Sequence, residues 1–561
     1  MYNRLSKRIP DNRFTRRYLR DFPRMAEEYR AKPVPAIPYS VFRLYQTTGS
    51  RVEYEAYYFD LRKRCDVFAA MVLSGRGEYL PDLEDALCAV CEEYTWALPA
   101  HIPEEHSIEE EVGRIDLFAS ETAFMLSEIW YLLKDDLDPE VSARMLYELR
   151  RRVVDPYLKT FPKWGKNNWS SVCAHGVLTT FIYLGLDGEF RKALPSLLQS
   201  LEDFLSSYRD DGYCTEGALY WSYGFESFVY AANLLREYTK GGIDYFKREK
   251  VRAIAKYGFC TYFEGNLTLP FADSPHRLNY NIGLYHFLKK EYPVLPLPDE
   301  SRAAMFGDEA RCRFFEMMRN LYWFDESLEG GDPAPVSCDF PLSQVYLRSR
   351  PAWHFACKGG HNGESHNHND VGSFVVICGE EYVLDDPGWP EYDKWYFSEK
   401  RYTDYICAMS EGHSLPIING KGQKPGEEHA GKVLLAEDGR IVIDLSGAYG
   451  LDGVTVRRTW LLHEDGVEIR DEITGAESVT ERFVTRVEPV PQEDGSLRIA
   501  GCVFSSGSGK PEITTATFVP RLVSNIGMKP VETLYLIDWT ASDGENVFRL
   551  RILPEGENGK L

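Results

Sequence analysis

Between residues 55 and 322 the apolar positions recur with helical spacing, interrupted at short intervals by Pro, Gly and Asp turns. The pattern predicts helices over Glu55–Leu73, Leu83–Leu98, Glu109–Leu133, Pro139–Val154, Ser171–Leu184, Phe190–Tyr208, Phe225–Tyr238, Lys247–Phe263 and Arg302–Tyr322. Short loops between amphipathic segments imply antiparallel neighbours, and so an array or toroid of helical hairpins, without a fixed-period repeat. After Glu329, in EGGDPAPVSCDFP, the texture changes. Short runs then read as strands: Gln344–Arg348, Ser373–Cys378, Glu381–Leu384, Lys432–Ala436, Ile441–Leu445, Val454–Leu462, Val467–Ile473, Thr480–Val487 and Thr533–Asp538. Turn signals such as Glu464-Asp465-Gly466 separate them, which predicts an antiparallel β-sandwich. Two domains follow, 1–325 helical and 326–561 β, with chemistry expected in a cleft between them.

Composition narrows the function. Aromatic residues make up 14% of the 561-residue chain, which suits thick helical packing or a sugar cleft lined by Trp and Tyr. A formal net charge of −22 argues against nucleic-acid binding, which needs clustered Lys and Arg. For a polyanionic substrate, any basic cleft has to be local. The basic N-terminal stretch lacks the apolar core of a signal peptide, and no run of about 18 apolar residues occurs. The expectation is a soluble cytoplasmic chain with no membrane partner. Apart from Cys88 and Cys91, which lie in a helical pattern, the twelve cysteines form no CxxC unit, so reduced, mostly buried thiols are expected.

Three of the twelve histidines, His361, His366 and His368, crowd into GGHNGESHNHND at 359–370, just before an apolar run that reads as a buried strand. On an extended chain His366 and His368 point the same way. The pair could chelate one metal, or one ring could ligate while the other moves protons. The alternative is a polar Gly/Asn-rich surface loop. His368 joins a carboxylate from Asp385-Asp386 and the imidazole of His413 in a donor set that suits zinc or a similar divalent ion, in a structural role.

In the helical half, WGKNNWSSVCAHG at 164–176 puts Asn167 and Asn168 before a helix, where an amide caps it or donates to a substrate carboxylate. Trp164 and Trp169 stack on sugars or pack in the core. A second segment, DDGYCTEGALYWSYGFESF at 210–228, gathers Tyr213, Tyr220, Trp221 and Tyr223 around Glu216. Tyr220 and Tyr223 share a helical face, either as core or as chemistry. A phenol in an enclosed cleft is a proton donor or, where cations lower its pKa, a base.

The run HNHNDVGSFVVICGEEYVLDDPG, then Arg401-Tyr402, His413 and Gln423, resembles the heparinase II/III-like polysaccharide lyases, a group similar to certain alginate and oligoalginate lyases. IDLFASETAF at 115–124, NNW at 167–169, DGYCTEGALYWSYG at 211–224 and RTWLLHEDGVEIRDEITG at 458–475 extend the likeness. The resemblance implies an incomplete (α/α) toroid followed by layered antiparallel β-sheet, and β-elimination at a 4-linked uronic acid to leave a 4,5-unsaturated uronate. By motif position it implies that His366 is the catalytic histidine, that Tyr223 works at the C5 proton and the leaving oxygen, and that Asn168 steadies the substrate carboxylate. His368, Asp386 and His413 correspond to the metal ligands, Asp386 being chosen over Asp385 because it directly precedes Pro-Gly. Asn167, Trp169, Tyr220, Glu216 and Arg401 complete the expected substrate contacts. Some relatives carry a histidine where this chain has Trp169; His175, six residues further on, is the alternative imidazole. The implied partner is a uronate-containing poly- or oligosaccharide, and a homo-oligomer stays open. Rival readings are an (α/α)-barrel glycoside hydrolase using Glu216 and Asp211, a metal-dependent hydrolase, and a non-catalytic sugar-binding protein.

Overall fold

The computed structural model describes residues 2, 5–308, 313–331, 336–521 and 530–553. Helices run from Arg13–Tyr18 to Phe314–Trp323, and the first strand is Cys338–Phe340. The change of texture after Glu329 thus falls where helices give way to strands; residues 332–335 of that stretch lie outside the described residues.

Helix Leu117–Leu133 packs on Asn168–Tyr183, which packs in turn on Asp187–Ser206 and Ala218–Tyr238. Close approach depends on a missing side chain: a Cβ on Gly176 would stand 2.2 Å from the Ser120 carbonyl oxygen. Phe124, Phe181, Phe225 and Phe228 are almost fully buried in this core, each contributing about 1.5–3 kcal/mol of transfer free energy. Several helix boundaries move for local reasons. The expected helix Glu109–Leu133 is two, Ile108–Val112 and Leu117–Leu133, because Asp116 caps the second, its Oδ1 accepting the Ala119 N–H at 2.8 Å. Pro139–Leu149 continues through a π-turn over Arg150–Val154 into Asp155–Thr160. The helix expected from Phe225 starts earlier, at Ala218. The expected helix Arg302–Tyr322 is present as Phe314–Trp323, with 309–312 outside the described residues.

Among the described residues the β region holds three larger antiparallel sheets. One has five strands, in the order Cys338–Phe340, Val345–Arg350, Trp353–Lys358, Phe374–Cys378 and Glu381–Leu384. A second has eight strands and is built around Gly466–Thr474 paired with Thr455–His463 and Gly544–Ile552. The third has four, with Glu532–Ala541 and Val479–Thr485 at its centre. A single apolar cluster draws Phe374, Trp460, Phe483, Trp539 and Phe548 from these sheets. The five-stranded sheet is covered on both faces: Phe355, Phe374 and Val376 join that β core, whereas Leu347, Val375 and Ile377 pack into the helical core. Burial on both sides explains why FVVIC reads as an unbroken apolar run. It also fixes the preceding histidine loop against the helical region.

No described helix is long and apolar enough to cross a membrane. The described cysteines are free, and most are buried; Cys88 and Cys91 lie on helix Leu80–Glu92.

Candidate active site

A cleft of about 430 Å³ opens where the helical and β regions meet, and Asn168, Tyr223 and His366 all line it. Three helices begin at its wall, Leu117–Leu133, Asn168–Tyr183 and Ala218–Tyr238, and residues of each first turn line the cleft. Their N-terminal ends bring unsatisfied N–H groups and partial positive charge to one place.

Asn167 is the N-cap of the second of these helices: its backbone is extended and its Oδ1 accepts the Trp169 N–H at 3.0 Å. Asn168 follows inside the first turn and is buried. Its Nδ2 donates to Glu216 Oε2 at 2.5 Å, and its Oδ1 has no partner among the described residues. Gly224 allows this approach, since a Cβ there would sit 3.0 Å from Asn168 Cβ. Glu216 therefore supports Asn168 from an adjoining pocket instead of lining the main cleft as a substrate contact. Asp211 is also engaged, accepting the Ser343 N–H and hydroxyl at 2.8 and 3.0 Å. Both carboxylates of the hydrolase reading are thus engaged with protein groups, and neither lines the main cleft.

The helix carrying Tyr220 and Tyr223 begins after Gly217, whose φ of +99° and tight approach to Ser274 call for glycine. Tyr223 donates its hydroxyl to Glu121 Oε1 at 2.5 Å while the Arg313 guanidinium lies 4.1 Å from its ring centroid. Arg313 Nε also donates to Glu121 Oε1, at 3.0 Å. Burial, reinforced by Glu121, raises the phenol well above its ordinary value despite Arg313. Of the two roles open to the phenol, proton donor or cation-lowered base, the upward direction favours the neutral donor. Burial likewise raises Glu121, against Arg313 and the Tyr223 hydroxyl.

His366 faces this group from the β side. Its φ is +56°, so His366 and His368 do not alternate along an extended strand as expected; a left-handed turn brings both to one carboxylate. Asp273 Oδ2 meets His366 Nδ1 at 2.6 Å, and Asp273 Oδ1 meets His368 Nε2 at 3.2 Å. Tyr392 and Tyr396 donate to the same carboxylate at 2.6 and 2.5 Å. Burial pushes Asp273 up, but Arg401, then His366 and His368, outweigh it and hold the group well below the usual carboxylate range. Tyr220 packs its ring 4.2 Å from that of His366, centroid to centroid, and lines the cleft. Arg401 does not line it: buried beneath the histidine loop, it donates to the Asn367 carbonyl at 2.7 Å.

Trp169 lines the cleft edge-on to His101, their rings 4.6 Å apart. His101 also lines it, with Nδ1 on Asp116 Oδ2 at 2.7 Å. His175 is not a substitute imidazole; it is buried among Phe124, Tyr230 and Phe315.

His368, Asp386 and His413 offer one ligand atom each within 4.8 Å of one another, all buried. His413 places Nε2 on the Cys407 carbonyl at 2.9 Å and Nδ1 toward Asp386 at 3.0 Å, while His368 Nδ1 is buried without a partner. Two imidazole nitrogens and one carboxylate, with the outer ring nitrogens already held, fit a divalent ion of the zinc type. Asp385 is committed elsewhere, to His276 at 2.7 Å and Arg486 at 2.6 Å. Gln423 ties the loops together, exchanging hydrogen bonds with the Val371 backbone.

Asp273, Glu121, Arg313, His101 and Tyr392 are the site residues that sequence reasoning missed. Glu121 lay within IDLFASETAF, one of the quoted stretches, but nothing in its local pattern marked it.

Residues 339–516 match the family model described as Heparinase II/III-like, C-terminal. No curated protein sequence matches the chain. Among solved structures, a heparinase III aligns with a TM-score of 0.62 at 14% identity, covering 97% of this chain and 93% of the other. A heparan sulfate lyase HepC mutant from Pedobacter heparinus gives 0.59 at 12% identity, covering 96% and 88%. The Streptomyces coelicolor A3 chondroitin AC lyase in complex with chondroitin sulphate gives 0.53 at 13%, covering 95% and 82%. At these identities the likeness establishes a common fold, a helical N-terminal region followed by an antiparallel β-sheet domain.

Proposed function

We propose that the protein is a polysaccharide or oligosaccharide lyase that cleaves uronate-containing glycans, glycosaminoglycans among them, by β-elimination, with the helical region serving as an incomplete (α/α) toroid. The observation that carries the reading is the convergence of Asn168, Tyr223 and His366 on one cleft edged by three helix N-termini. The names of the solved relatives, heparinase III and chondroitin AC lyase, point the same way.

The C5 proton of a uronate is weakly acidic, so the negative charge that builds on its carboxylate has to be stabilised before the proton leaves. One Asn168 Nδ2 hydrogen is taken by Glu216; the other is available to the carboxylate, assisted by the helix N-termini at about 0.3–1 kcal/mol each. His366, with Nδ1 fixed by Asp273, presents Nε2 as base toward C5. As the C5–H electrons form the C4–C5 double bond, the C4–O4 bond breaks and the neutral Tyr223 phenol protonates O4. The turnover closes when His366 releases the C5 proton to solvent and the Tyr223 oxygen, beside the Arg313 guanidinium, takes one back from solvent.

His368, Asp386 and His413 would hold a divalent metal, zinc on donor chemistry. Bound there, it would supply a structural clamp on the loops that carry these three residues, while Asp273 holds the outer nitrogen of the His368 ring.

The test is product analysis in heavy-oxygen water. A lyase releases fragments that carry no label from solvent; label at the new reducing ends would establish hydrolysis instead.

A further inference from the structure

Beyond the catalytic group, the β wall of the cleft carries a guanidinium that hydrogen-bonds to no carboxylate among the described residues. Arg521 lines the cleft, and its Nε and Nη1 are buried without any hydrogen-bond partner among the described residues. Its guanidinium carbon lies 4.0 Å from the Tyr392 ring centroid and 5.0 Å from that of Trp389. The other arginines of the cleft are occupied: Arg51 donates to Glu55 at 2.5 Å, and Arg313 to Glu121 at 3.0 Å. The position of Arg521 is built into the fold. Its N–H donates to the Trp389 carbonyl at 3.2 Å, Pro520 bridges Pro390, and Glu391 N–H donates to the Val519 carbonyl at 2.9 Å. The same Trp389–Tyr392 segment delivers the Tyr392 hydroxyl to Asp273, within 3.4 Å of His366 Nδ1. Arg521 is therefore one aromatic ring away from His366, on a segment hydrogen-bonded to the Trp389–Tyr392 stretch.

A desolvated guanidinium is costly unless a partner arrives, and its planar fork matches a carboxylate or sulfate in two parallel hydrogen bonds. We infer that Arg521 is an anion-recognition residue that selects glycans carrying a second acidic group, a sulfate ester or another uronate carboxylate, on the sugar next to the cleaved uronate. The inference rests on the lyase reading for the identity of the cleaved sugar. The contact with the second anion stands on Arg521 itself. In a chain of net charge −22, a guanidinium with free donors set beside the chemistry discriminates more sharply than a generally basic surface.

The test compares wild type, Arg521→Gln and Arg521→Lys on three polymers: unsulfated heparosan, sulfated heparan sulfate, and a homopolymer of uronate. Arg521→Gln is expected to raise KM about tenfold or more on the acid-rich substrate, with kcat changed less than about threefold and heparosan kinetics unaffected. Arg521→Lys, which keeps the charge but not the fork, should fall between. Loss confined to heparan sulfate names the sulfate ester; loss confined to the uronate homopolymer names the carboxylate. Equal loss on heparosan, or no change on any polymer, would overturn the inference. Calorimetric binding of the same saccharides reads the contact without chemistry. Arg521-dependent binding with no unsaturated product would overturn the lyase reading and leave the anion site standing, whereas no binding of any polymer would overturn both.

Discussion

His366 Nδ1 and Asp273 Oδ2 lie 2.6 Å apart, joining residues 93 positions distant in the chain and belonging to different halves of the fold. The bond fixes which ring nitrogen of His366 is left for the cleft. It also makes one buried carboxylate common to His366 and to His368 of the candidate metal site.

That shared carboxylate gives a first prediction. Asp273→Ala leaves the buried Arg401 without its counter-charge and removes the acceptor of two tyrosine hydroxyls. Breaking a buried charge network of this kind costs about 3–5 kcal/mol. Urea denaturation should show the loss; a midpoint equal to wild type would contradict the network.

Tyr223→Phe keeps the ring and removes only the hydroxyl that meets Glu121. Turnover is expected to drop by about 10² to 10⁴, the usual worth of a general acid–base group, with melting temperature nearly unchanged. Steady-state kinetics at saturating glycan measures this. Retention of more than about a tenth of wild-type kcat would remove Tyr223 from the proton-transfer role.

Metal content should follow His368. In His368→Ala the three-donor set loses one of its two imidazoles. Bound metal by elemental analysis and thermal stability should fall together, as they should after treatment of wild type with a chelator. Full metal content in the variant would exclude His368 as a ligand.

Much of this arrangement was legible in the sequence, and what was missed has physical causes. Local periodicity announced the order of helices and strands, and crowding of His361, His366 and His368 announced a site. Helix Ile282–Glu291 escaped notice because Ile282 through Leu288 are buried all round, leaving no polar face to set a period. Strand Gly544–Ile552 carried a readable signal that was missed, an Asp543-Gly544 turn followed by Phe548, Leu550 and Ile552 alternating with Arg549 and Arg551. Asp273 lies in an irregular stretch with no periodicity to mark it. Glu121 and Arg313 are 192 positions apart, so only the packed helices reveal that they share Tyr223. Arg401 illustrates the opposite error: a motif cannot distinguish an arginine that meets substrate from one buried to hold a loop.

A pH dependence of stability should arise from Glu226, fully buried on the helix of Tyr223. Burial pushes its carboxyl from an ordinary 4.5 up to about 8, against hydrogen bonds from Asn281, Ser222 and Tyr230. A carboxyl raised in the folded state contributes its stabilisation fully below the ordinary value and loses it as pH climbs through the folded one. Stability should therefore decline between 4.5 and about 8, and Glu226→Gln should flatten that decline. Urea midpoints across this range check it; identical slopes for the two proteins would contradict the assignment.

The central claim is elimination, and its most direct measurement is ultraviolet absorbance during incubation of the purified protein with uronate-containing oligosaccharides. The account predicts a steady rise from the conjugated 4,5-unsaturated uronate with at least one glycan, abolished in Tyr223→Phe and in His366→Ala. New reducing ends without that absorbance would contradict it and make the protein a hydrolase.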